Sequence, residues 1–306
     1  MACLGAIPLR AQAPPPVLPH LTLAGKPKAP GLATQPAPAD ATGTVTVINV
    51  YDSLKPLPPN TRIAALRIMQ LLPKTTPVAD SPRIGYGAQK NIRAVLGTVP
   101  VESDGSAYFT APARKPLYFQ ALDERGLAVQ SMKSDTYLQP GDQLTCQGCH
   151  NQALRAPALS QPAARALKRA PSPITPEADG SRPFNYPRLV QTVLDRQCVG
   201  CHAKARQEGK NAIDLANAHT SYNNLRPFAF FWDGAAATPS RTTPGQFGAR
   251  ASRLLAVLDK GHYGLKLPAD DLRRITLWLD SNSDFYGSCE NTAAQDQGQV
   301  VPLTLE

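Results

Sequence analysis

The pentapeptide Cys-Gln-Gly-Cys-His runs from Cys146 to His150, and Cys-Val-Gly-Cys-His repeats it from Cys198 to His202. No other feature constrains the chain as tightly. At two places, two thiols and an imidazole must be presented together to one partner. Four of the six cysteines are used in this way. The other two, Cys3 and Cys289, are too few for a disulfide framework, so the cysteines point to ligand attachment. Cys289 reads as a buried free thiol.

Three chemistries use closely spaced cysteines. A zinc ribbon takes two CxxC pairs but gains nothing from a histidine directly after each. A redox dithiol of the thioredoxin kind follows a strand and opens a helix in a βαβ unit, a pattern absent around Cys146. In a c-type haem site each thiol adds to one vinyl group, and the next histidine lies under the iron as proximal ligand. With only five histidines in the chain, two such histidines are not coincidence. The expectation is two covalently attached haem c groups. Cys146, Cys149 and His150 hold the first, with His150 on its iron; Cys198, Cys201 and His202 hold the second.

The remaining histidines are His20, His219 and His262. His20 sits in a Pro-rich stretch. His219 follows the second motif on a polar segment. His262 lies after a helix, between Gly261 and Gly264, where the backbone could approach a flat macrocycle closely, and it is the favoured distal ligand of the second iron. Its alternative role is a helix C-cap. For the first iron the options are Met132, Tyr137 or an open sixth position.

The organisation follows from composition and period. Residues 1–13 carry a short apolar run ending in Ala11-Gln12-Ala13, an A-x-A site, and read as an export signal lacking its basic start. Residues 14–42 form a Pro/Ala-rich linker. Residues 43–154 read as a β-rich first haem domain. TVTVINVY (44–51) is a strand, and IAALRIMQLL is strand or short helix by period alone. IRAVLGTVPV and SAYFTAPA flank a turn at 102–105, and PLYFQAL and LAVQSM flank another at 123–126, as two strand–turn–strand pairs. Residues 155–183 form a basic Pro/Ala-rich linker read as solvated, and 184–290 a helical second haem domain. Its helices are expected over 187–198, at ASRLLAVLDKG, and from Pro268 with Leu272, Ile275 and Leu279 on one face. Residues 291–306 are a tail. The fold class expected is α+β multidomain: a small β-sandwich-like domain with one haem c, then a mostly α-helical cytochrome c-like domain with a second.

The net charge is +9, but the basic stretch is interleaved with Ala and Pro rather than aromatics, which argues against nucleic acid. A basic surface favours acidic redox partners. No segment approaches about 18 uninterrupted apolar residues, so no transmembrane segment is expected.

Several stretches together resemble the middle and C-terminal haem domains of the hydrazine synthase alpha subunit family: VLGTVPVESDGSAYFTAPA, PLYFQALDERGLAVQSM, DTYLQPGDQLTCQGCH, LVQTVLDRQCVGCH and GHYGLKLPADDLRRITLWLDSNSDFYG. The resemblance runs from about Val45 to Gly287. It implies a β-rich domain with one haem c and a second, bis-histidine haem held by His202 and His262. The family's N-terminal β-propeller has a Pro-rich stretch in its place here. The family also has a tyrosine soon after the first motif that ligates the active-site iron; here Asn151, Gln152, Ala153 and Leu154 follow His150. Hydrazine synthesis is therefore not expected. The expected function is an exported, periplasmic dihaem cytochrome that transfers electrons to other redox proteins. The alternatives are a haem enzyme acting on peroxide or a nitrogen oxide at an open first haem, or a docking module for a separately encoded oxidoreductase subunit.

Overall fold

The Thr-Val-Thr-Val run at residues 44–47 opens strand β1 (Thr42–Ser53), with Val45 and Val47 turned inward. The computed structural model describes residues 41–78, 81–87, 91–132, 134–149, 163–177, 179, 182–229 and 243–302. The export-signal stretch 1–13, nearly all of the 14–42 linker, His20 and His150 lie outside the described residues.

Among the described residues seven strands form two sheets. In the first, β1 pairs antiparallel with β4 (Ala107–Pro112) and parallel with β7 (Gln143–Cys149). The second has the order β3-β2-β5-β6, every neighbour antiparallel. Its strands are β2 (Ile63–Leu72), β3 (Ile92–Pro100), β5 (Leu117–Asp123) and β6 (Ala128–Ser131). The sheets share one core: Val45, Val47 and Phe109 from the first meet Leu66, Ile68 and Phe119 from the second. The Phe109 and Phe119 rings meet edge to face, 5.6 Å apart. Each such side chain contributes about 1.5–3 kcal/mol by leaving water.

Sheet position explains what period alone left open. IAALRIMQLL is the strand β2, flanked by β3 and β5, and it is largely buried on both faces. A strand covered on both sides loses the alternation that identifies an exposed one. The segments on either side of the 102–105 turn are both strands, but they do not pair. β3 belongs to the second sheet and β4 to the first, so this turn crosses between sheets. The 123–126 turn does close a hairpin, β5 on β6, with Asp123 Oδ1 accepting the N–H groups of Arg125 and Leu127 at 2.9 and 3.0 Å.

The described part of the basic linker is partly exposed but anchored. Residues 163–177 lie along the sheets as a strap. Thr98 and Thr175 exchange backbone hydrogen bonds, Ser172 does the same with Tyr108 and Thr110, and Arg169 pairs with Glu102 at 2.9 Å. Ala164 and Ala166 within the strap are buried.

The helices follow the strap. A π-turn over Pro187–Gln191 leads into α1 (Thr192–Gln197), then α2 (Val199–Gln207) and α3 (Ala218–Leu225). Next come α4 (Gly248–Ala251), α5 (Arg253–Asp259), α6 (Ala269–Asp280) and α7 (Thr292–Asp296). Proline at the start of the first turn and before α6 suits both starts, because the first turn of a helix needs no internal N–H donor. Residues 40–306 cluster as one compact unit. Met69, Val95 and Tyr118 on the second sheet share a core with Tyr186, Val190, Leu279 and Trp278 on the helices. Among the described residues no helix is long and apolar enough to cross a membrane.

Candidate haem sites

The second CxxCH lies at the α1–α2 junction. Cys198 is the N-cap of α2, and Cys201 and His202 follow in its first turn. Residues three and four apart share a helix face, so Leu194, Cys198, Cys201, His202 and Ala205 line one cavity of about 640 Å³. Its other walls include Leu215, Leu225, Phe228, Leu254 and Leu258, and His262 closes it from across the way. An ion pair and an ion-dipole contact fix the junction to α6: Asp271 accepts Arg196 Nη2 at 2.6 Å and Gln197 Nε2 at 3.0 Å.

The two imidazoles of this cavity face one another. The ring centroids of His202 and His262 are 5.9 Å apart, with planes inclined by 37°. Two ring nitrogens bound about 2 Å either side of one metal ion put the ring centres about 6 Å apart. His202 Nδ1 lies 2.9 Å from the carbonyl oxygen of Ile213. A carbonyl only accepts, so Nδ1 carries the proton and Nε2 keeps its lone pair for a metal. His262 is presented by a sharp turn after α5: Gly261 and Gly264 have φ of 77° and 78°, and Tyr263 between them is also left-handed at 49°. Glycine adopts that conformation without steric cost.

These residues fit a haem. No α2 side chain is fully buried, and the helix's inward face meets an apolar cavity with imidazoles on two sides. Burial pushes the Cys198 thiol up to about 11. A thioether is uncharged and sits in such a wall at no electrostatic cost, whereas a zinc thiolate would be charged there. Bound here, the haem would be held by Cys198, Cys201 and His202, with His262 on its other face.

The first CxxCH has a different backbone. Cys146 and Cys149 lie on β7, where positions three apart would face opposite ways in a regular strand. The pairing of β7 with β1 shifts register between Asn49 and Ser53. Gly148 sits in that shift, against the Asn49 and Asp52 carbonyl oxygens. Both thiols consequently line one cavity of about 350 Å³ between the two sheets, with Val47, Leu66, Phe119 and Ala121. Burial raises both thiols, Cys149 to about 12. The apolar walls and paired thiols fit a thioether-linked haem here too. His150 lies outside the described residues. The two cysteine pairs line separate cavities, which is not the convergence a zinc ribbon requires.

The other expected ligands fall as follows. His219 stands apart from Cys198 and Cys201: its ring stacks on Phe285 at 4.6 Å and its Nε2 is 3.1 Å from Asp296. Met132 lines the first cavity, but its Sδ accepts the Phe119 N–H at 3.3 Å. Tyr137 is 51% exposed. Asp142 is a turn residue, accepting the Gln139 N–H at 2.7 Å. Sequence reading missed the Ile213 carbonyl and Gln130, which lines the first cavity. Neither carries a local signal.

Comparison with known proteins bears on the fold. The family model for the hydrazine synthase alpha subunit middle domain matches residues 61–151, from β2 through the first CxxCH. Hydrazine synthase subunit alpha of Kuenenia stuttgartiensis is 32% identical over 119 residues, covering 34% of this chain and 15% of that protein. The solved hydrazine synthase of Kuenenia stuttgartiensis matches with a TM-score of 0.60 at 19% identity, over 81% of this chain and 44% of that one. The chain thus spans less than half the length of either relative. Residues 61–151 thus resemble the middle domain of the hydrazine synthase alpha subunit.

Proposed function

We propose that the protein is an exported dihaem c-type cytochrome that passes electrons between redox proteins. The observation that carries this reading is the facing pair His202 and His262, 5.9 Å apart across an apolar cavity that also holds Cys198 and Cys201. A haem supplies one-electron chemistry, and two imidazoles on its iron leave no position for a substrate, which suits a relay. The chain's own residues supply the rest. The Ile213 carbonyl orients His202, the leucine walls would keep water from a bound haem, and the Cys198 and Cys201 thiols would hold its edge.

Export to the periplasm rests on the A-x-A site at Ala11–Ala13. The net charge of +9 favours acidic redox partners. A separately encoded oxidoreductase subunit is a further partner of this kind, in keeping with the curated relative's being a subunit. The test is the mass of the mature chain. Cys146→Ser/Cys149→Ser and Cys198→Ser/Cys201→Ser should each lose the mass of one haem, and a wild-type chain with no haem sinks the reading.

A second reading is favoured at the first haem alone. Met132 has its sulfur engaged by a backbone N–H and Tyr137 lies off the cavity wall. With neither as sixth ligand, the iron joined to Cys146 and Cys149 would be open to a small molecule, and the second haem would feed it electrons.

A further inference from the structure

The most exposed large apolar side chain among the described residues stands at the mouth of the second cavity. Tyr263 lines that cavity yet is 92% exposed, so it adds nothing to the core. Its ring meets the His262 ring edge to face, with centroids 4.9 Å apart. Its backbone is left-handed, with φ of 49°. A bulky residue is an outlier in that region, at a cost of about 1–3 kcal/mol. Glycine or asparagine would close the turn at less cost, so the turn by itself does not call for tyrosine.

The border of the cavity is basic. Segments 204–210 and 260–266 both line it, and they carry Lys204, Lys210, Lys260 and Lys266 against the single acid Glu208. Glu208 is shared between Lys204 and Lys210, at 4.0 and 2.8 Å, and Arg206 is taken up by Asp214. Lys260 and Lys266, three residues either side of Tyr263, are exposed and make no ion pair among the described residues. Asp259 does not cancel Lys260, because both its oxygens accept from Arg125, at 2.7 and 3.0 Å. The next acids, Asp270 and Asp271, belong to the first turn of α6, where Asp271 is held by Arg196.

An aromatic side chain ringed by charges is the anatomy of a protein interface. The aromatic supplies the contact that becomes buried, and the charges steer the approach. Lysines of one sign fit an acidic partner. We propose that the Tyr263 turn is the docking point for an acidic one-electron redox protein, with Tyr263 as the contact between that partner and the His262 ring. One electron leaves the partner's centre and reduces ferric iron to ferrous, and no bond forms or breaks. This deepens the relay reading and rests on a haem being attached at Cys198 and Cys201.

The probe is a plant-type [2Fe–2S] ferredoxin, an acidic one-electron carrier, added to the full-length, haem-loaded protein. Binding of the oxidised ferredoxin is measured by calorimetry. Reduction of the second haem by the reduced ferredoxin is followed by stopped flow in the Cys146→Ser/Cys149→Ser background. Lys260→Glu/Lys266→Glu should weaken binding and slow reduction about tenfold at low salt, and the effect should fade at about 0.5 M salt. Tyr263→Ala should weaken binding about tenfold at either salt concentration, and Tyr263→Phe, which keeps the ring, should restore it. Lys168→Glu, on the strap, should change neither quantity. Wild-type affinity in Lys260→Glu/Lys266→Glu or in Tyr263→Ala overturns the proposal, and so does an equal loss in Lys168→Glu. Peptide mass counts the haem on Cys198 and Cys201 in the same samples. Haem present with unmoved affinity sinks the docking surface alone, whereas a wild type without that haem sinks the attachment as well.

Discussion

Arg67 on β2 and Asp280 at the end of α6 meet 3.1 Å apart, and neither side chain is exposed to solvent. Gln120 Oε1 and the Gly126 carbonyl accept from the same guanidinium at 2.9 and 3.0 Å. Asp280 also accepts the Ala128 and Ala249 N–H groups at 3.0 and 2.9 Å. One carboxylate therefore ties β2, β6, α4 and α6 together. Removing it leaves buried Arg67 with only the longer 3.8 Å pairing to Glu177 and strands two N–H donors, a change that costs about 3–5 kcal/mol. Asp280→Leu should lower the urea-unfolding free energy by that amount. A loss below about 1 kcal/mol, the size of an exposed ion pair, would show that the cluster does not hold the sheets to the helices.

The strap over the sandwich is pH-sensitive at Asp104. Its carboxylate accepts the Ser106 hydroxyl at 2.6 Å and the Arg165 N–H at 2.8 Å. Desolvation pushes this carboxyl up, but the hydrogen bonds from Ser106 and Arg165 outweigh it and hold the group below its usual value. A carboxylate depressed in the folded state stabilises fully above its unfolded pKa of about 3.9 and loses that contribution as pH falls through the lower folded value. Wild type should therefore exceed Asp104→Asn in stability at pH 7, and acidification to about pH 3 should narrow the gap. Urea midpoints at the two pH values check this, and a constant gap contradicts it.

Gly148 permits the kink that turns Cys149 beside Cys146. A methyl group there would run into the Asp52 carbonyl oxygen and approach the Asn49 carbonyl oxygen at 3.0 Å. Forcing extra volume into packed structure costs about 1–3 kcal/mol. Gly148→Ala should lose stability in that range and carry less haem on the first motif while the second stays loaded. Equal loading of both motifs, read by peptide mass, would mean the kink is not needed for attachment.

What the residues announced in advance was local chemistry. The repeated CxxCH, the 123–126 hairpin and the apolar face of α6 each follow from spacing within a few residues. Pairings between distant segments were not legible. Glu102-Ser103-Asp104-Gly105 specifies a turn but not which sheet each flank joins, and β7 shows no alternation because its kink breaks the period. Gln130 reads in sequence as the outward residue of an ordinary strand. It is buried because all four residues of β6 are, with Phe247 packing over Ala128 on one side. Arg67 and Asp280 are 213 residues apart, and only the finished fold reveals them as partners.

The central claim is that His202 and His262 share one haem iron. The direct measurement is electron paramagnetic resonance of the oxidised, haem-loaded protein, compared with His262→Ala. A low-spin signal in wild type that becomes high-spin in the variant, with haem content unchanged, is the result this account predicts. A low-spin signal that survives His262→Ala unaltered would contradict it.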